Sequence, residues 1–345
     1  MNLLYEPLAG LFRIGVALRH AGYNHGWLET HRLSRPVVSV GNLTVGGTGK
    51  TPLVASIAKI LLAQGLKPSV LTRGYGRKNE SELRVIEPGA GNRVSPQEVG
   101  DEPALLSRML PEIPIVLCAD RFRGGQAAEK QFQVDAHILD DGFQHLALAR
   151  SVDLVALDAT QPISNWRLLP AGQQREPLSA LRRAQFVVIT RTDSADPKHL
   201  EDLVTRVSPN TKVFRSRTVL RGWTDAWSGE PVALAKIQAQ KVAAFCGIGN
   251  PRAFFTDLRH WGFSVVEEQA FPDHHAYAGE EIQRLVSRAS KNGATALLTT
   301  QKDAVKFSRD WKPQLPILYC EIEAQILNTE DFEKTLMTFL QKARA

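Results

Sequence analysis

Cysteine is scarce in this 345-residue sequence, which contains only Cys118, Cys246 and Cys320. They are far apart, odd in number and form no CxxC pair, which argues against a disulfide scaffold or a cysteine-bound zinc ion. The sequence also lacks internal repeats, low-complexity tracts and any apolar run of about 18 residues, the length a membrane-spanning helix needs. We therefore expect a globular protein with three buried thiols.

The composition is that of an ordinary globular protein, with 43% hydrophobic and 23% charged residues. At about 150 residues per domain, the length predicts two domains. Lysine and arginine number 42 against 36 aspartate and glutamate, a net charge of +6. This excess weakly favours phosphate-bearing partners or a membrane surface.

The first 20 residues do not look like a secretory signal, because Arg13 interrupts the apolar part and no small-residue cleavage site follows. At 100° per residue they form an amphipathic helix, with Glu6, Arg13 and His20 opposite the apolar face. Such a face either packs on the protein's own core or lies in a lipid interface, and the residues alone favour neither. The apolar face comprises Leu4, Leu8, Leu11, Phe12, Gly15 and Leu18.

Short apolar segments alternate with helical patterns from about residue 36 onward. This alternation predicts parallel strands and an α/β layered fold. After an N-terminal helix within residues 1–30, we expect a larger domain over 31–211 and a smaller α/β domain over 212–322. The smaller domain is flanked by linker strands near 212–221 and 315–322, and a helix over 323–345 closes the chain.

The segment VVSVGNLTVGGTGKT consists of a β-branched strand, a glycine-rich loop and a helix start, the context of a phosphate-binding loop. Lys50 is placed to reach the β and γ phosphates, and Thr51 to bind Mg²⁺. Thr44 stands where the usual pattern has glycine, so the loop is closer to the GGxGKT variant. The nucleotide-binding candidates are Thr44, Val45, Gly46, Gly47, Thr48, Gly49, Lys50 and Thr51.

A P-loop enzyme also needs a carboxylate at a strand end to hold the metal ion. AHILDDG ends in Asp140 and Asp141, and LVALDA offers Asp158 as a rival. The doubled carboxylate before a turn glycine favours Asp140 and Asp141.

A kinase further requires a base for the acceptor hydroxyl. VGDEP places Asp101 and Glu102 at a predicted helix start, where acidic residues also serve as helix caps. FPDHHAY offers Asp273, His274 and His275, which a capping aspartate beside surface histidines explains equally well.

Basic residues follow two predicted strands, in LTRGYGRK and in CADRFRGG. Loops at the carboxyl ends of parallel strands face the ligand crevice, so Arg73, Arg77 and Arg121 are candidates for holding an anionic acceptor. In TTQKDAVK, either Thr300, Lys302 and Asp303 reach the nucleotide, or Asp303 caps the following turn. Both alternatives stay open.

Eight motifs, in order over nearly the whole chain, resemble the tetraacyldisaccharide 4′-kinase family of lipid A biosynthesis: GNLTVGGTGKTP, LTRGYGRK, VGDEP, ADR, ILDDGFQH, LLPAGQQREPLSAL, FPDHH and TTQKDAVK. The resemblance implies a Gram-negative bacterial enzyme at the cytoplasmic face of the inner membrane. It implies transfer of the γ phosphate of ATP to the 4′ hydroxyl of a tetraacylated glucosamine disaccharide 1-phosphate, giving lipid IVA. It also implies two α/β/α sandwich domains joined by a two-stranded linker, with a P-loop NTPase-type parallel sheet in the larger one, and an N-terminal helix that contacts the bilayer.

Carried over by motif, the resemblance makes Asp101 the base, assisted by His274 or His275 across the domain cleft, with His274 preferred. Lys50 and Thr51 serve the phosphates and metal. Mg²⁺ is held by Asp140 and Asp141, with Glu102 a further ligand. Gln144, His145 and Glu176 line the same site.

The main competing class is a partition-type or metallochaperone-type switch ATPase, which the GGxGKT loop allows. Val45 argues against it, because it replaces the extra lysine that such loops often carry. A polynucleotide kinase would need an aromatic-rich basic groove, and none is evident. We therefore expect no nucleic-acid partner, and we expect a monomer.

Overall fold

The computed structural model describes residues 5–77, 79–162, 166–238, 240–307, 311 and 313–344. Leu4 and Lys78, which the sequence places in the apolar face and in a basic loop, lie outside these residues. The helices are α1 (Glu6–Asn24), α2 (Lys50–Ala63), α3 (Pro96–Val99), α4 (Asp101–Met109), α5 (Arg121–Gln131), α6 (Lys198–Val207), α7 (Leu234–Gln238), α8 (Pro251–His260), α9 (Gly279–Lys291), α10 (Gln301–Ala304) and α11 (Thr329–Arg344). The strands are β1 (Val37–Asn42), β2 (Pro68–Thr72), β3 (Arg84–Ile86), β4 (Ile115–Leu117), β5 (Ala136–Asp140), β6 (Val152–Asp158), β7 (Phe186–Thr190), β8 (Lys212–Asp225), β9 (Pro231–Val232), β10 (Lys241–Cys246), β11 (Ser264–Ala270), β12 (Ala296–Thr300) and β13 (Ile317–Ile326).

The chain divides into two compact units. Unit 1 comprises residues 1–217 and 324–345, and unit 2 comprises residues 218–323. Both α1 and α11 therefore belong to unit 1. Unit 2 is an insertion between the parts of unit 1, and the chain passes between the units within β8 and β13.

Unit 1 is built on a mostly parallel sheet with the strand order β8-β7-β6-β1-β5-β2-β4-β3. The short edge strand β3 pairs with β4 in antiparallel orientation. Side chains of β6 alternate between two apolar layers, with Leu154 and Ala156 in one and Val155 and Leu157 in the other. Both faces of the sheet are thus covered, as expected of a parallel sheet.

The layer on one face of this sheet receives side chains from two helices, α2 and α11, that lie far apart in the sequence. Leu53 and Ile57 of α2 lie in the same buried cluster as Phe332, Leu336 and Leu340 of α11. The ring of Phe332 also lies 5.1 Å from that of Phe214 on β8. Hence α11 completes the hydrophobic core of the unit that carries the glycine-rich loop.

Unit 2 repeats the layered plan on a smaller scale, with parallel strands in the order β11-β10-β12-β13. Along β10, Val242, Ala244 and Cys246 enter one buried cluster and Ala243 and Phe245 enter the other.

The linker strands β8 and β13 are neighbours in the sheet. Arg217 donates to Gln325, and Arg221 donates to Glu323 further along the pair. The expected fold class, two α/β/α sandwiches with a two-stranded linker, is confirmed. The expected buried state of all three cysteines is also confirmed.

The N-terminal helix α1 turns its apolar face outward. Leu8, Leu11, Ile14 and Leu18 are 50–65% exposed. The opposite, polar face contacts unit 1, where Glu6 meets Arg167. Packing of the apolar face on the protein's own core, one of the two alternatives for this helix, is therefore wrong. None of the described helices is long and apolar enough to cross a membrane.

Candidate active site

The glycine-rich loop joins the end of β1 to the start of α2, as the sequence predicts. Gly46 and Gly49 have φ angles of +107° and +76°, a left-handed region that side chains avoid. Gly49 directly precedes α2, so the loop delivers Lys50 and Thr51 at the helix N-terminus. Backbone N–H groups at such a terminus form a natural phosphate-binding site.

Asn42, the last residue of β1, stabilises the glycine-rich loop through hydrogen bonds of its side chain. Its fully buried amide donates to the carbonyl of Thr44 at 2.6 Å and to the hydroxyl of Thr48 at 3.0 Å. Its Oδ1 accepts a bond from Lys50 Nζ at 3.0 Å. Asn42 was not among the candidates from the sequence, although a polar side chain at the end of a strand, directly before the glycine-rich loop, was the available signal.

Thr190, the last residue of β7, and Arg191, which follows it, also contact the glycine-rich loop. Thr190 Oγ1 donates to the carbonyl of Thr48 at 3.1 Å, and Arg191 donates to the carbonyl of Gly47 at 3.3 Å. Arg191 also pairs with Asp158, whose side chain is fully buried. Asp158, the rival metal ligand in the sequence, is thus tied to a cation that supports the loop.

A third support is the segment 166–176. The N–H of Val45 donates to the carbonyl of Gln173 at 2.8 Å, and the N–H of Arg175 donates to the carbonyl of Leu43 at 2.7 Å. Thr44 forms an isolated bridge with Gln174.

Two aspartates stand beside the loop, because β5 is the direct neighbour of β1 and Val40 is in register with Asp140. Asp140 is buried and accepts a bond from Thr72 Oγ1 at 3.1 Å. Burial, and then the nearby carboxylates of Glu102 and Asp141, raise the pKa of Asp140 to about 7.

Asp141 has the opposite electrostatic environment. It forms ion pairs with Lys50 at 2.8 Å and with Arg175 at 2.7 Å. Burial alone would raise the pKa of Asp141, but these two cations outweigh it and hold the pKa well below its usual range. Arg175 was not among the sequence candidates.

The donor set at this strand end fits a magnesium ion. Among the described residues no group of three or more His, Cys, Asp or Glu forms a ready-made metal cage. Mg²⁺ is usually held by one or two carboxylates together with water and substrate phosphates. Asp140 matches that pattern better than Asp141. Asp140 lies near two other carboxylates, with Thr51 on the adjoining loop, whereas Asp141 already forms ion pairs with two cations.

Asp101 and Glu102 begin α4 after Gly100, which has a φ angle of +93°. A Cβ atom at Gly100 would lie 2.8 Å from the carbonyl oxygen of Tyr75, so this turn requires glycine. Glu102 is close enough to raise the pKa of Asp140. The turn therefore brings Glu102 close to the aspartate pair, and Asp101 precedes it as the first residue of α4.

The predicted basic residues divide into two groups. Arg77 bonds to the carbonyl oxygens of Glu80 and Glu82, so it stabilises its own loop, where Arg73 also pairs with Glu80. Arg121 is 7% exposed, and its pKa is lowered by burial despite the nearby Asp140.

The remaining candidates from the sequence are Gln144, His145 and Glu176. Gln144 donates to the carbonyl of Asn42 at 3.0 Å. Burial, followed by Arg121 and other arginines, lowers the pKa of His145 to about 4, so His145 is neutral at pH 7. Glu176 is buried, and its carboxylate is bound by His20 and Arg183.

In unit 2, the two histidines of FPDHH have different surroundings. His275 lies 2.7 Å from Glu281 and stacks on Phe271 with ring centroids 4.6 Å apart. The side chain of His274 is 40% exposed, and its φ angle is +60°. His275 thus has a packing role, whereas His274 is presented on a turn.

The loop between a buried strand and a helix, with its lysine beside paired aspartates, defines a P-loop nucleotide-dependent enzyme. A profile of the family described as tetraacyldisaccharide-1-P 4′-kinase matches residues 1–341. The chain belongs to the tetraacyldisaccharide 4′-kinase family.

Individual relatives agree with this assignment. The tetraacyldisaccharide 4′-kinase of Anaeromyxobacter dehalogenans (strain 2CP-C) is 41% identical over 86% of this chain and 78% of its own. That of Desulfotalea psychrophila is 37% identical over 96% of this chain and 94% of its own. The solved structure of the "apo" form of LpxK from Aquifex aeolicus in complex with ATP is 29% identical, with a TM-score of 0.78 over 97% of this chain and 98% of that one. A switch ATPase is not favoured.

Proposed function

We propose that this protein transfers the γ-phosphoryl group of ATP to the 4′ hydroxyl of a tetraacylated glucosamine disaccharide 1-phosphate, forming lipid IVA for lipid A. The main supporting observation is the glycine-rich loop whose Lys50 lies 2.8 Å from Asp141, in a chain that matches the family over residues 1–341. In the reaction the bond between the γ phosphorus and the bridging oxygen breaks, ADP leaves, and the sugar oxygen bonds to phosphorus.

ATP would bind along Thr44–Thr51. Lys50 is held by Asn42 Oδ1 and by Asp141, two oxygen acceptors that phosphate oxygens can replace without moving the ammonium group far. The loop is braced by Asn42 and Thr190, so its N–H groups need little reorganisation. Asp140 and Thr51 would hold Mg²⁺, with Glu102 and Asp141 nearby. The ion would neutralise charge on the β and γ phosphates.

Asp101 is proposed as the base that accepts the proton of the 4′ hydroxyl, and His274 as its assistant. Its place on the α4 turn supports Asp101, because Glu102 of the same turn influences Asp140. The exposure of His274 and the involvement of His275 with Glu281 support the choice of histidine. In a loose transfer transition state the proton leaves late, so positioning contributes more than basicity.

The acceptor carries four acyl chains and would stay in the bilayer. The exposed apolar face of α1 supports peripheral binding to a membrane, proposed to be the cytoplasmic face of the inner membrane of a Gram-negative cell, with Arg19 beside anionic headgroups. Arg121, which lies buried near Asp140, is proposed to contact phosphate. The remaining proposed acceptor contacts are Arg73, Arg77, Gln144, His145 and Glu176.

The test is transfer of labelled γ phosphate from Mg·ATP to the detergent-dispersed tetraacyl disaccharide 1-phosphate. Label is expected in the lipid, and Asp101→Ala should lower kcat by about 10²- to 10⁴-fold while ATP binding stays unchanged. Equal losses in kcat and in ATP affinity would exclude Asp101 as the base. ATP hydrolysis by the wild-type protein with no labelled lipid would contradict the kinase and favour a switch ATPase.

A further inference from the structure

The carboxylate of Asp303 is fully buried in unit 2, near the carboxyl ends of three strands. β10 pairs in parallel with both β11 and β12, so all three strands end at one edge of the sheet. The loops that follow them contain Gly247, the FPDHH segment and Asp303 itself. Burying a charged carboxylate costs free energy of folding unless hydrogen-bond donors or cations surround it.

Donors from all three loops converge on this carboxylate. The N–H of Gly247 lies 3.1 Å from Oδ2, and the hydroxyl of Tyr277 lies 2.9 Å from Oδ1. Thr300 Oγ1 donates at 2.7 Å, and Lys306 forms an ion pair at 2.8 Å. Burial and the neighbouring Asp303 raise the pKa of Tyr277, so its hydroxyl remains a donor. Asp303 is therefore engaged within the protein and is not placed to contact nucleotide.

Tyr277 connects the Asp303 carboxylate to the loop over residues 271–277, because its hydroxyl donates to Asp303 and its ring packs within the loop. Its ring packs at 5.4 Å against Phe271 and at 5.0 Å against His275, in edge-on geometry. A Cβ atom on Gly247 would lie 3.0 Å from the Tyr277 hydroxyl and 3.2 Å from the Cβ of His275. The loop after β10 thus lies directly against Tyr277 and against His275, the residue that follows His274.

Lys302 fixes the other side of the same turn. Its Nζ donates to Asp273 Oδ1 at 3.2 Å, and the same oxygen accepts the backbone N–H of His274 at 3.0 Å. His274 has a φ angle of +60°, a conformation that costs a non-glycine residue free energy and persists only where its surroundings enforce it. Lys302 and Asp273 provide such an enforcing contact.

We propose that Asp303 and Lys302 are positioning residues that hold the turn carrying His274 in its left-handed conformation, without contacting ATP. This inference rests on the proposed function, in which His274 assists the base. It differs from both alternatives that the sequence leaves open for TTQKDAVK, nucleotide contact and a helix cap formed by Asp303, because here the motif acts through the histidine turn.

The test compares Lys302→Met with Lys291→Met, an exposed lysine at the end of α9 that serves as the matched control. Lys302→Met should lower kcat about 10-fold and leave the KM for ATP unchanged, since misplacing a reacting group by a fraction of an ångström has effects of this order. Asp303→Asn should lower kcat further. Tyr277→Phe, which keeps the ring and loses one donor, provides a milder change at the same carboxylate if Asp303→Asn fails to fold.

A double-mutant cycle with His274→Ala supplies the decisive measurement. If Lys302 acts through His274, then Lys302→Met lowers kcat no further in the His274→Ala background. A raised KM for ATP, or the same loss of kcat in both backgrounds, would overturn the inference. So would wild-type kcat in His274→Ala, although lipid labelling by the wild-type protein would then still support the kinase.

Hydrogen exchange separates this inference from the proposed function. Amides over residues 271–277 should exchange faster in Lys302→Met than in Lys291→Met, whatever the acceptor proves to be. Unchanged exchange in that peptide would contradict the positioning role. Missing lipid phosphorylation by the wild-type protein would instead contradict the proposed function.

Discussion

Nε2 of His20 on α1 lies 3.0 Å from Oε2 of Glu176, within hydrogen-bond distance. Arg183 approaches the same oxygen at 2.8 Å and also lies over the ring of Phe143, 4.3 Å from its centroid. Burial would raise the pKa of Glu176, but hydrogen bonds from His20 and Arg183 lower it. The polar face of α1 is therefore anchored through a buried carboxylate, while its apolar face remains exposed.

Replacing Glu176 with glutamine should destabilise the protein by about 3 kcal/mol, because a buried charge network loses its anion. Urea unfolding at pH 7 measures this loss. Glu6→Gln is the matched control, since the Glu6–Arg167 pair is about half exposed on both sides and should contribute less than about 1 kcal/mol. Equal effects of the two variants would show that burial of Glu176 does not determine its contribution.

The exposed leucines of α1 should control membrane binding. Leu11→Gln with Leu18→Gln removes two side chains that are 65% and 64% exposed, so folding should be nearly unaffected. Sedimentation with phosphatidylethanolamine–phosphatidylglycerol vesicles should show at least roughly 10-fold weaker binding. Leu234→Gln, at an exposed leucine of unit 2, should bind like the wild type. Unchanged binding by the double variant would rule out this face as the contact.

Lys50→Met should lower kcat for phosphoryl transfer by about 10²- to 10³-fold, the usual loss when a positioned charge that stabilises the transition state is removed. Its thermal stability should change little, since Asp141 retains its ion pair with Arg175. Lys59→Met, on the exposed side of α2, is the control and should remain active. Full activity of Lys50→Met would be incompatible with the proposed role of the loop.

The strand pair β2 and β5 should make folding sensitive to acid. His137 is fully buried, with Ser69 Oγ 2.8 Å from Nδ1 and Glu129 Oε1 3.1 Å from Nε2. Burial lowers the pKa of His137, outweighing Glu129, so between the folded and unfolded pKa values the unfolded chain binds more protons. The free energy of unfolding should fall as pH drops below about 6.5, by at most about 1.4 kcal/mol per pH unit for this group.

Urea midpoints at pH 7.5 and 5.5 measure that dependence, and His137→Gln, which cannot take up a proton, should remove this residue's share. The matched control is His199→Gln, a histidine on the exposed side of α6. If His137→Gln keeps the full pH dependence of the wild type, protonation of His137 is not its source.

The sequence was sufficient to predict the features that depend only on residues close together along the chain. The loop around Lys50 and the doublet Asp140–Asp141 could be found because their chemistry is written in short segments between strand and helix. Arg175 could not, because its role depends on an ion pair with Asp141, 34 residues away. The same holds for Arg191, which reaches Gly47 from a different strand.

The spacing of apolar residues predicted that α1 is amphipathic, but it did not predict which face packs on the protein and which is exposed. An apolar helical stripe predicts burial in general, and only the contacts of Glu6 and His20 with unit 1 reveal that this helix is attached by its polar side. Glu176, expected from the resemblance to line the acceptor site, has its carboxylate engaged by His20 and Arg183. Whether it also contacts the acceptor stays a prediction.

The position of α11 has a consequence for synthesis on the ribosome. Phe332, Leu336 and Leu340 fill the same cluster as Leu53 of α2, yet they are translated after the whole of unit 2. Domains generally fold as they emerge, in order from the N-terminus. Unit 2 can therefore close its core before α11 is translated, so the hydrophobic core of the unit that carries the glycine-rich loop is completed only after unit 2 has emerged.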